Sequence, residues 1–168
     1  MPDSVTVIDF STDDLSTWRP INDGVMGGLS DSQIIATGNG TALFTGSVSL
    51  ERNGGFASIR TDLQCRDLSG YSGLYLRVRG DGHRYRLRLR CDHGFDGVAY
   101  QAGFTTQAMQ WQAIQLPFEN FKPSFRGRPV PSAPPLAVSR ICQIGLLIAD
   151  RQAGTFSLEL ASVVANKG

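Results

Sequence analysis

The sequence predicts an all-β fold, an antiparallel sandwich or barrel. Short runs of alternating or apolar residues recur along the chain and are bounded by glycine, asparagine, aspartate or proline. The 168 residues include 19 glycines and 8 prolines, which indicates many turns. No segment shows a long apolar period of 3.6 residues, so extended helices are not expected.

The same pattern places ten candidate strands in the chain. They are Val5–Phe10, Gln33–Ala36, Ala42–Leu50, Phe56–Leu63, Gly73–Arg79, Arg84–Arg90, Val98–Thr105, Gln112–Leu116, Ile141–Ile148 and Thr155–Val164. The one helical signal is Ser11–Trp18, where Ser11 or Thr12 could cap a short turn. Because no repeat or linker is visible, we expect residues 1–168 to form a single domain with a substantial core.

The segment 73–90 is predicted to form a hairpin with arginines on one face. Apolar and polar residues alternate on both sides of Asp81-Gly82, a dipeptide that favours a type I′ turn. A two-residue turn fixes the register of the two strands. It pairs Arg79 with Arg84, Arg77 with Arg86 and Tyr75 with Arg88.

Like charges directly opposite each other destabilise a sheet, so this arginine face needs acids, aromatic rings, water or an anionic ligand beside it. Two interpretations stay open. The arginines could form an ordinary solvated face, or they could form a basic groove for an acidic peptide segment or an anionic small ligand. For the groove we expect Tyr75, Arg77, Arg86 and Arg88 to bind, with Arg60 and Gln101 as neighbours.

A second hairpin is predicted around Asn53-Gly54, between Ala42–Leu50 and Phe56–Leu63. Its register sorts apolar residues to one face and sets Ser47 opposite Arg60 on the other. The small residues beside this arginine could form the floor of a shallow groove or an ordinary wet surface.

The segment Phe118–Ser139 holds five prolines, which argues against a central strand. A connection of this length in a compact domain is either functional or packed as an irregular crossover. We expect Phe121 and Phe125 to anchor it and Arg126-Gly127-Arg128 to form an exposed tip.

The three cysteines, Cys65, Cys91 and Cys142, are far apart in sequence and form no paired motif. We therefore expect buried reduced thiols, which fit a reducing compartment. Alternation puts Cys91 and His93 on one side of a strand, a weak signal for a nucleophile pair or two metal ligands. No third ligand is spaced to complete a zinc site. Asp92, Asp96 and Glu159 could bind calcium, but their spacing defines no loop motif. Since no catalytic constellation is visible either, we expect no catalytic residue, no metal and no cofactor.

The formal net charge of +1 argues against a nucleic-acid binder. The start of the chain lacks the basic residues and apolar run of a signal peptide, and no apolar stretch is long enough to insert in a membrane. These features predict a cytoplasmic protein.

Three segments carry a family resemblance. The first runs from Trp18 to Ser30 and has the signature residues Trp18, Asn22, Asp23, Met26, Gly27 and Gly28. The second runs from Phe44 to Arg60 and includes Asn53, Gly54 and Gly55. The third combines Tyr100-Gln101, Phe104, Trp111, Leu116-Pro117-Phe118 and Phe125-Arg126-Gly127-Arg128. With these motifs the chain resembles the complex I intermediate-associated protein 30 family from about Ile8 to Val163.

The resemblance implies a galactose-binding-domain-like β-sandwich, a jelly roll akin to carbohydrate-binding modules. Mitochondrial members of the family are assembly factors for respiratory complex I, and the family has no established catalytic residues. We therefore expect a non-enzymatic assembly or chaperone-like factor that binds a protein partner, such as subunits of a membrane complex. The alternative is a module that binds a carbohydrate or an anionic small ligand. Since no transit peptide is visible, the chain resembles a stand-alone bacterial-type member.

Overall fold

A computed structural model describes residues 3–26, 28–52, 54–94 and 97–167, apart from the side chains of Val25 and Met26. Its strands are β1 (Ser4–Asp9), β2 (Arg19–Pro20), β3 (Asp31–Ala36), β4 (Ala42–Val48), β5 (Ala57–Arg66), β6 (Gly73–Arg79), β7 (Arg84–Arg90), β8 (Ala99–Thr105), β9 (Trp111–Pro117), β10 (Lys122–Phe125), β11 (Arg128–Pro129), β12 (Ile141–Ile148) and β13 (Gly154–Asn166). Short 3-10 turns span Leu15–Thr17, Asp23–Met26 and Phe118–Asn120.

The strands form two sheets whose strand pairs are all antiparallel within the described ranges. The six-stranded sheet has the order β3-β4-β13-β6-β9, and β1 also pairs with β13. The seven-stranded sheet has the order β11-β10-β8-β7-β12-β5-β2. Apolar residues of both sheets meet in one core, so the predicted antiparallel β-sandwich is confirmed.

All ten predicted strands are present, with boundaries that differ by three residues at most. The alternation that predicted them is the pattern of inner and outer faces. In β7, for example, Tyr85, Leu87 and Leu89 are buried while the arginines between them are partly exposed. The helical signal at Ser11–Trp18 is only one 3-10 turn, and its cap is Asp14, whose carboxylate accepts from the backbone N–H of Ser16 at 2.9 Å.

Both predicted hairpins are wrong. Strand β6 lies in the six-stranded sheet between β13 and β9, whereas β7 lies in the seven-stranded sheet between β12 and β8. Strands β4 and β5 are divided between the sheets in the same way. Arg77 is therefore not opposite Arg86, and Ser47 is not opposite Arg60. Each connection crosses from one layer of the sandwich to the other.

The crossing at Asp81-Gly82 is held by contacts with distant parts of the chain. The carboxylate of Asp81 accepts from the backbone N–H of Ser157 in β13 at 2.7 Å and from the hydroxyl of Tyr85 in β7 at 2.9 Å. The N–H of Gly82 donates to Thr106 Oγ1 at 3.0 Å. These bonds tie the two sheets together at a corner, which a tight hairpin turn would not do.

Aromatic side chains fill the centre of the core between the sheets. Phe44 and Phe156 of the six-stranded sheet are 4.9 Å apart between ring centroids. Tyr85 of the seven-stranded sheet lies 6.3 Å from Phe44 and 6.1 Å from Phe104. Because both sheets direct their apolar faces inward, each leaves a polar outer face available for binding.

The proline-rich segment contains more regular structure than its sequence predicts. Strand β10 pairs with β8, and β11 closes the edge of the sheet, so Pro123 lies next to the edge and not at the centre. Phe121 is buried and anchors the segment, but Phe125 is 37% exposed beneath the guanidinium of Arg126. Within the described ranges, no helix has the length and apolar character needed to span a bilayer.

Candidate functional site

A row of polar residues crosses the outer face of the seven-stranded sheet. Gly145 of β12 lies opposite Arg60 of β5 on one side and opposite Arg88 of β7 on the other. Arg88 in turn lies opposite Gln101 of β8. Residues directly opposite each other in an antiparallel pair point to the same face, so these four share one surface.

Glycine at the centre of this row makes a depression between the two arginines. A Cβ atom at position 145 would lie only 2.6 Å from the backbone oxygen of Ile59, so the site accepts no side chain. Neighbouring rows on the same face add Arg86 and Arg90 from β7 and Gln143 from β12. Together they enclose a groove of about 620 Å³.

The groove has walls of different character. Ile21 and Phe56 lie at the end near β2 and β5, and Arg126 with Gly127 reaches it from the turn between β10 and β11. Among the described lining residues there are five arginines and one acid, Asp150. A strongly basic groove thus exists in a protein whose formal net charge is only +1.

The arginines around Arg88 raise the energy of its charged state. The pKa of Arg88 is lowered to about 10 by its burial and by the charges of Arg90, Arg60 and Arg86. Arg88 is still a cation at neutral pH. A bound anion would offset this repulsion, because an opposite charge nearby favours the charged form.

Arg88 also has hydrogen-bonding capacity that the described residues do not use. Its Nε is buried and has no hydrogen-bond partner among the described residues. Arg86, in contrast, forms an ion pair with Asp150, and Arg90 donates to the carbonyl oxygen of Gly97 at 3.0 Å. A buried donor without a partner is costly, so this N–H favours an incoming acceptor.

Gln143 supplies a second unused polar atom in the groove. Its side chain is almost fully buried, and its Nε2 donates to Asp62 Oδ1 at 2.8 Å and to the carbonyl oxygen of Gly94 at 3.2 Å. Its Oε1 is buried without a partner among the described residues. The groove can therefore accept a hydrogen bond as well as donate several.

The structure brings together four of the six residues that the sequence predicts for a groove, namely Arg60, Arg86, Arg88 and Gln101. The other two, Tyr75 and Arg77, lie on the outer face of the opposite sheet, because β6 belongs to the other layer. There Arg77 stacks over Trp111, with its guanidinium carbon 5.3 Å from the ring centroid. Tyr75 and Arg77 are thus removed from the candidate site.

Sequence reasoning missed the central role of Gly145. A glycine within the largely apolar run Ile141–Ile148 is the available signal, since glycine inside a strand often marks a close approach of another group. Nothing in the local sequence pairs Gly145 with Arg60 and Arg88, because those contacts join distant segments.

The signature motif forms a structural corner around Asp23, whose side chain is fully buried. Its carboxylate accepts from the backbone N–H groups of Ser30 at 2.9 Å and Gly55 at 2.8 Å, and also from the hydroxyl of Ser30. Burial raises the pKa of Asp23, but the hydrogen bonds from Ser30, Gly55 and Phe56 outweigh it and lower the pKa below the ordinary value. One carboxylate thus joins the two motifs of the family.

The residues around Asp23 reinforce the same corner. Asn22 Oδ1 accepts from Ser32 Oγ at 2.7 Å and from the N–H of Ser58 at 3.0 Å. A Cβ at Gly28 would collide with the Asp23 carboxylate, and one at Gly54 would lie 2.8 Å from its Oδ2. Close packing against Asp23 therefore excludes a side chain at Gly28.

Trp18, the first signature residue, packs into the core beside Phe10. It is 9% exposed, and its ring centroid lies 5.8 Å from that of Phe10. Gly27 and Asn53 lie outside the described residues, as does the side chain of Met26. Among the described signature residues, Asp23 bonds to Gly28 and Gly55, and Asn22 bonds to β3 and β5 beside the groove.

The expectation of three reduced thiols is wrong for two of the cysteines. Cys65 and Cys142 form a disulfide. Their strands, β5 and β12, are neighbours in the sheet although they are far apart in the sequence. Cys91 is free, and burial raises the pKa of its thiol. His93 lies beside Cys65 and not beside Cys91, with 3.7 Å between its Nε2 and the Cys65 sulfur.

Comparison with known proteins places the chain in a family. Residues 8–160 match the family model described as complex I intermediate-associated protein 30. The chain belongs to this family. This confirms the resemblance found in the sequence.

Two relatives illustrate the similarity. The chain is 30% identical, over 88% of its length, to an uncharacterized protein of Schizosaccharomyces pombe, of which it covers 77%. It is 30% identical, again over 88% of its length, to the mitochondrial complex I intermediate-associated protein 30 of Mus musculus. It covers 51% of that protein and so spans about half the length of the mouse relative.

Solved structures with the same fold include carbohydrate-binding modules. The family 11 module of Clostridium thermocellum, solved with a mixed-linked β-1,3-1,4 tetrasaccharide, has a TM-score of 0.73 and 16% identity. The match covers 98% of this chain and 96% of the module. The family 29 module of Piromyces equi has a TM-score of 0.51 and 11% identity, covering 98% and 90%. At these identities the likeness shows the β-sandwich fold alone.

Proposed function

We propose that this protein is a non-enzymatic binding protein whose basic groove holds an acidic segment of a partner protein. The observation that carries the proposal is the row Arg60-Gly145-Arg88, in which two buried or half-buried arginines flank a glycine. Guanidinium groups bind carboxylates through paired, charge-assisted hydrogen bonds. The depression at Gly145 gives a side-chain carboxylate room to reach both.

Family membership supports a role in assembly. The mouse and fly relatives are named complex I intermediate-associated protein 30, mitochondrial. In this proposal the chain is a single domain that acts in the cytoplasm as an assembly or chaperone-like factor. Its partner is a subunit or assembly intermediate of a respiratory complex that exposes an acidic segment.

Groove chemistry also supports a role without catalysis. The titratable groups that line it are arginines and Asp150, and none of these residue types has an ordinary pKa near 7. General acid–base catalysis works best with a group whose pKa lies near the working pH. A groove built from permanent charges is better suited to binding than to proton transfer.

A second candidate, binding of an acidic carbohydrate or another anionic small ligand, is favoured by the fold. The carbohydrate-binding modules share the sandwich, and the groove lies on an outer sheet face. Among the described lining residues the only aromatic ring is that of Phe56. Neutral sugars bind proteins largely by stacking on broad aromatic surfaces, which this groove lacks. A uronic acid polymer, whose carboxylates can pair with the arginines, therefore fits the groove better than a neutral glucan.

Titration with defined probes separates these functions. We expect a short polyglutamate peptide to bind, with affinity that falls as salt rises, and a polyglutamine peptide of equal length not to bind. If oligogalacturonate binds more tightly than polyglutamate, the carbohydrate function is favoured. If a mixed-linked glucan or polyuridylate binds more tightly than polyglutamate, the groove is not a site for acidic peptides. If no anionic probe binds at low salt, the groove is only a solvated face.

The assembly role has its own test. Tagged protein used as bait in membranes solubilised with mild detergent should enrich complex I subunits. A variant with Arg88→Gln should lose that enrichment, whereas a variant with Arg77→Gln, on the opposite sheet, should retain it. Equal enrichment by both variants would show that the assembly role does not depend on the groove.

A further inference from the structure

Three side chains that prefer the same metal ions converge at one end of the seven-stranded sheet. Cys65 comes from β5, Cys142 from β12, and His93 from the loop after β7. Their sulfur and imidazole nitrogen atoms all lie within 4.8 Å of one another. These residues are 28 and 49 positions apart along the chain, so the fold alone brings them together.

A bulge in β5 positions the first ligand. Ile141 pairs with Arg66 and Gln143 pairs with Asp62, so three residues of β5 lie opposite Cys142 alone. Bulges of this kind redirect side chains and are common near functional sites. Here the irregularity turns Cys65 toward Cys142 and brings the carbonyl of Leu63 toward the loop that carries His93.

The loop after β7 is fixed to the sheet at this point. The Nε2 of His93 lies 2.7 Å from the carbonyl oxygen of Leu63 and 3.7 Å from the sulfur of Cys65. A carbonyl oxygen only accepts hydrogen bonds, so Nε2 carries a proton in this state. Gln143 holds the same loop by donating to the carbonyl oxygen of Gly94 at 3.2 Å.

We propose that reduction of the Cys65–Cys142 disulfide converts this cluster into a zinc site, with two thiolates and the His93 imidazole as ligands and water in the fourth position. Two thiolates and one imidazole form a known type of tetrahedral ligand set for zinc. From usual bond lengths, a sulfur and a nitrogen on one tetrahedral zinc are about 3.6 Å apart. The 3.7 Å between Cys65 Sγ and His93 Nε2 already matches that separation.

The conversion needs a reductant and releases protons. A dithiol reductant supplies two electrons, breaks the Cys65–Cys142 bond and becomes a disulfide itself, leaving two cysteine thiols. Each thiol then loses its proton to solvent as its sulfur binds zinc. The proton of His93 moves from Nε2 to Nδ1 through solvent, so Nε2 leaves the Leu63 carbonyl and binds the metal.

Small rearrangements are sufficient for this change. The two sulfurs, bonded to each other in the oxidised state, must separate to about 3.8 Å on a tetrahedral ion. Rotation of the Cys65 side chain at the bulge provides that movement, whereas Cys142 is fully buried and stays in place. His93 is exposed, so the ion and its water ligand reach the site from solvent.

Cobalt titration tests the site, because Co²⁺ reports thiolate ligands and tetrahedral geometry by its absorption. Protein reduced with a phosphine that is then removed should bind one equivalent of Co²⁺, with thiolate charge-transfer and intense d–d bands. Zn²⁺ should abolish both bands. Protein with the disulfide intact should show neither band.

Variants assign the ligands. We expect His93→Gln to weaken Co²⁺ binding by tenfold or more, and Cys65→Ser to weaken it further and to remove about half of the charge-transfer intensity. Cys91→Ser is the matched control, since its thiol lies near the carbonyl oxygen of Ala137 and outside the cluster. It should bind like the parent. Cys142 is fully buried, so a substitution there would affect folding as well as metal binding. The assignment therefore uses the variants of Cys65 and His93.

Three results would overturn the zinc site. The first is a reduced protein with all three thiols titratable that binds no Co²⁺. The second is equal binding by the parent and by the double variant Cys65→Ser with His93→Gln. The third is a chain that unfolds on reduction and does not refold with Zn²⁺. A rise in melting temperature with Zn²⁺ only after reduction would support the proposal.

Discussion

At the scale of single residues, the feature that organises this protein is the buried carboxylate of Asp23. It accepts hydrogen bonds from both signature motifs, through Ser30 on one side and Gly55, 25 positions further along the chain, on the other. The sequence shows that both motifs are unusual but not that they meet. Their contact depends on the packing of β3 and β4 against the start of β5, which no local pattern encodes.

Replacing Asp23 by asparagine should lower the free energy of unfolding by about 2–4 kcal/mol, because an amide nitrogen would face buried donors. The carboxylate has a lowered pKa, so its contribution is present above about pH 4 and is lost as the pH falls further through the folded pKa. Urea unfolding at pH 7 and at pH 3 measures both effects. The difference in free energy of unfolding between the parent and the Asp23→Asn variant should be smaller at pH 3 than at pH 7.

Asp67→Asn is the control for this change, since Asp67 is exposed and accepts from the backbone N–H of Ser69 at 2.9 Å in a surface turn. It should change the free energy of unfolding by less than about 0.5 kcal/mol. If the Asp23 and Asp67 variants unfold alike, the corner does not depend on the buried carboxylate.

Gly28→Ala should destabilise the protein by about 1–3 kcal/mol, because the added Cβ would overlap the Asp23 carboxylate. Gly24→Ala, in the same motif, has no atom within 4 Å of the added Cβ and should be nearly neutral. Thermal unfolding of the two variants checks this. Equal melting temperatures would show that the motif tolerates a side chain at position 28.

At the scale of strands, alternation predicted which residues face the core but could not predict which strands pair. Leu76 of β6 and Leu87 of β7 both point inward, as they would in a hairpin, yet they do so from opposite layers. Inward and outward side chains alternate with a period of two whether the two strands form a hairpin or lie in opposite sheets. The difference lies in long-range bonds such as that between Asp81 and Ser157, which the local sequence does not reveal.

Backbone nuclear Overhauser effects test the division of the strands between sheets. We expect cross-strand contacts from Arg88 of β7 to Gly145 of β12 and to Gln101 of β8. Arg77 of β6 should show contacts to Ala113 of β9. Contacts between Arg77 and Arg86 would instead restore the hairpin and contradict the two-layer arrangement.

At the scale of the whole molecule, the two outer faces use arginine differently. On the six-stranded sheet, Arg79 pairs with Glu159 at 2.7 Å, and both Arg77 and Arg79 lie over Trp111. On the seven-stranded sheet the arginines gather around the depression at Gly145. Among the described residues, this second face is where positive charge gathers, and the buried Nε of Arg88 there has no hydrogen-bond partner.

The sequence predicted this basic surface only in part. Its arginines and their common alternation are visible in the chain, so Arg86, Arg88 and the neighbours Arg60 and Gln101 could be named. The assignment of Arg77 failed because its strand belongs to the other sheet. Gly145, which makes the depression, could not be connected to the arginines without the pairing of β12 to β5 and β7.

If Arg88 and its neighbours bind an acidic segment, an acidic peptide should bind the parent protein more tightly than a variant that lacks the Arg88 charge. The dissociation constant of a polyglutamate peptide is measured at low and at high salt for the parent, Arg88→Gln and Arg77→Gln. We predict that Arg88→Gln raises the constant about tenfold at low salt, as expected for loss of a charge-assisted hydrogen bond. Arg77→Gln, which removes the same charge from the opposite face, should stay within about twofold of the parent. Equal constants for the two variants at every salt concentration would contradict the groove.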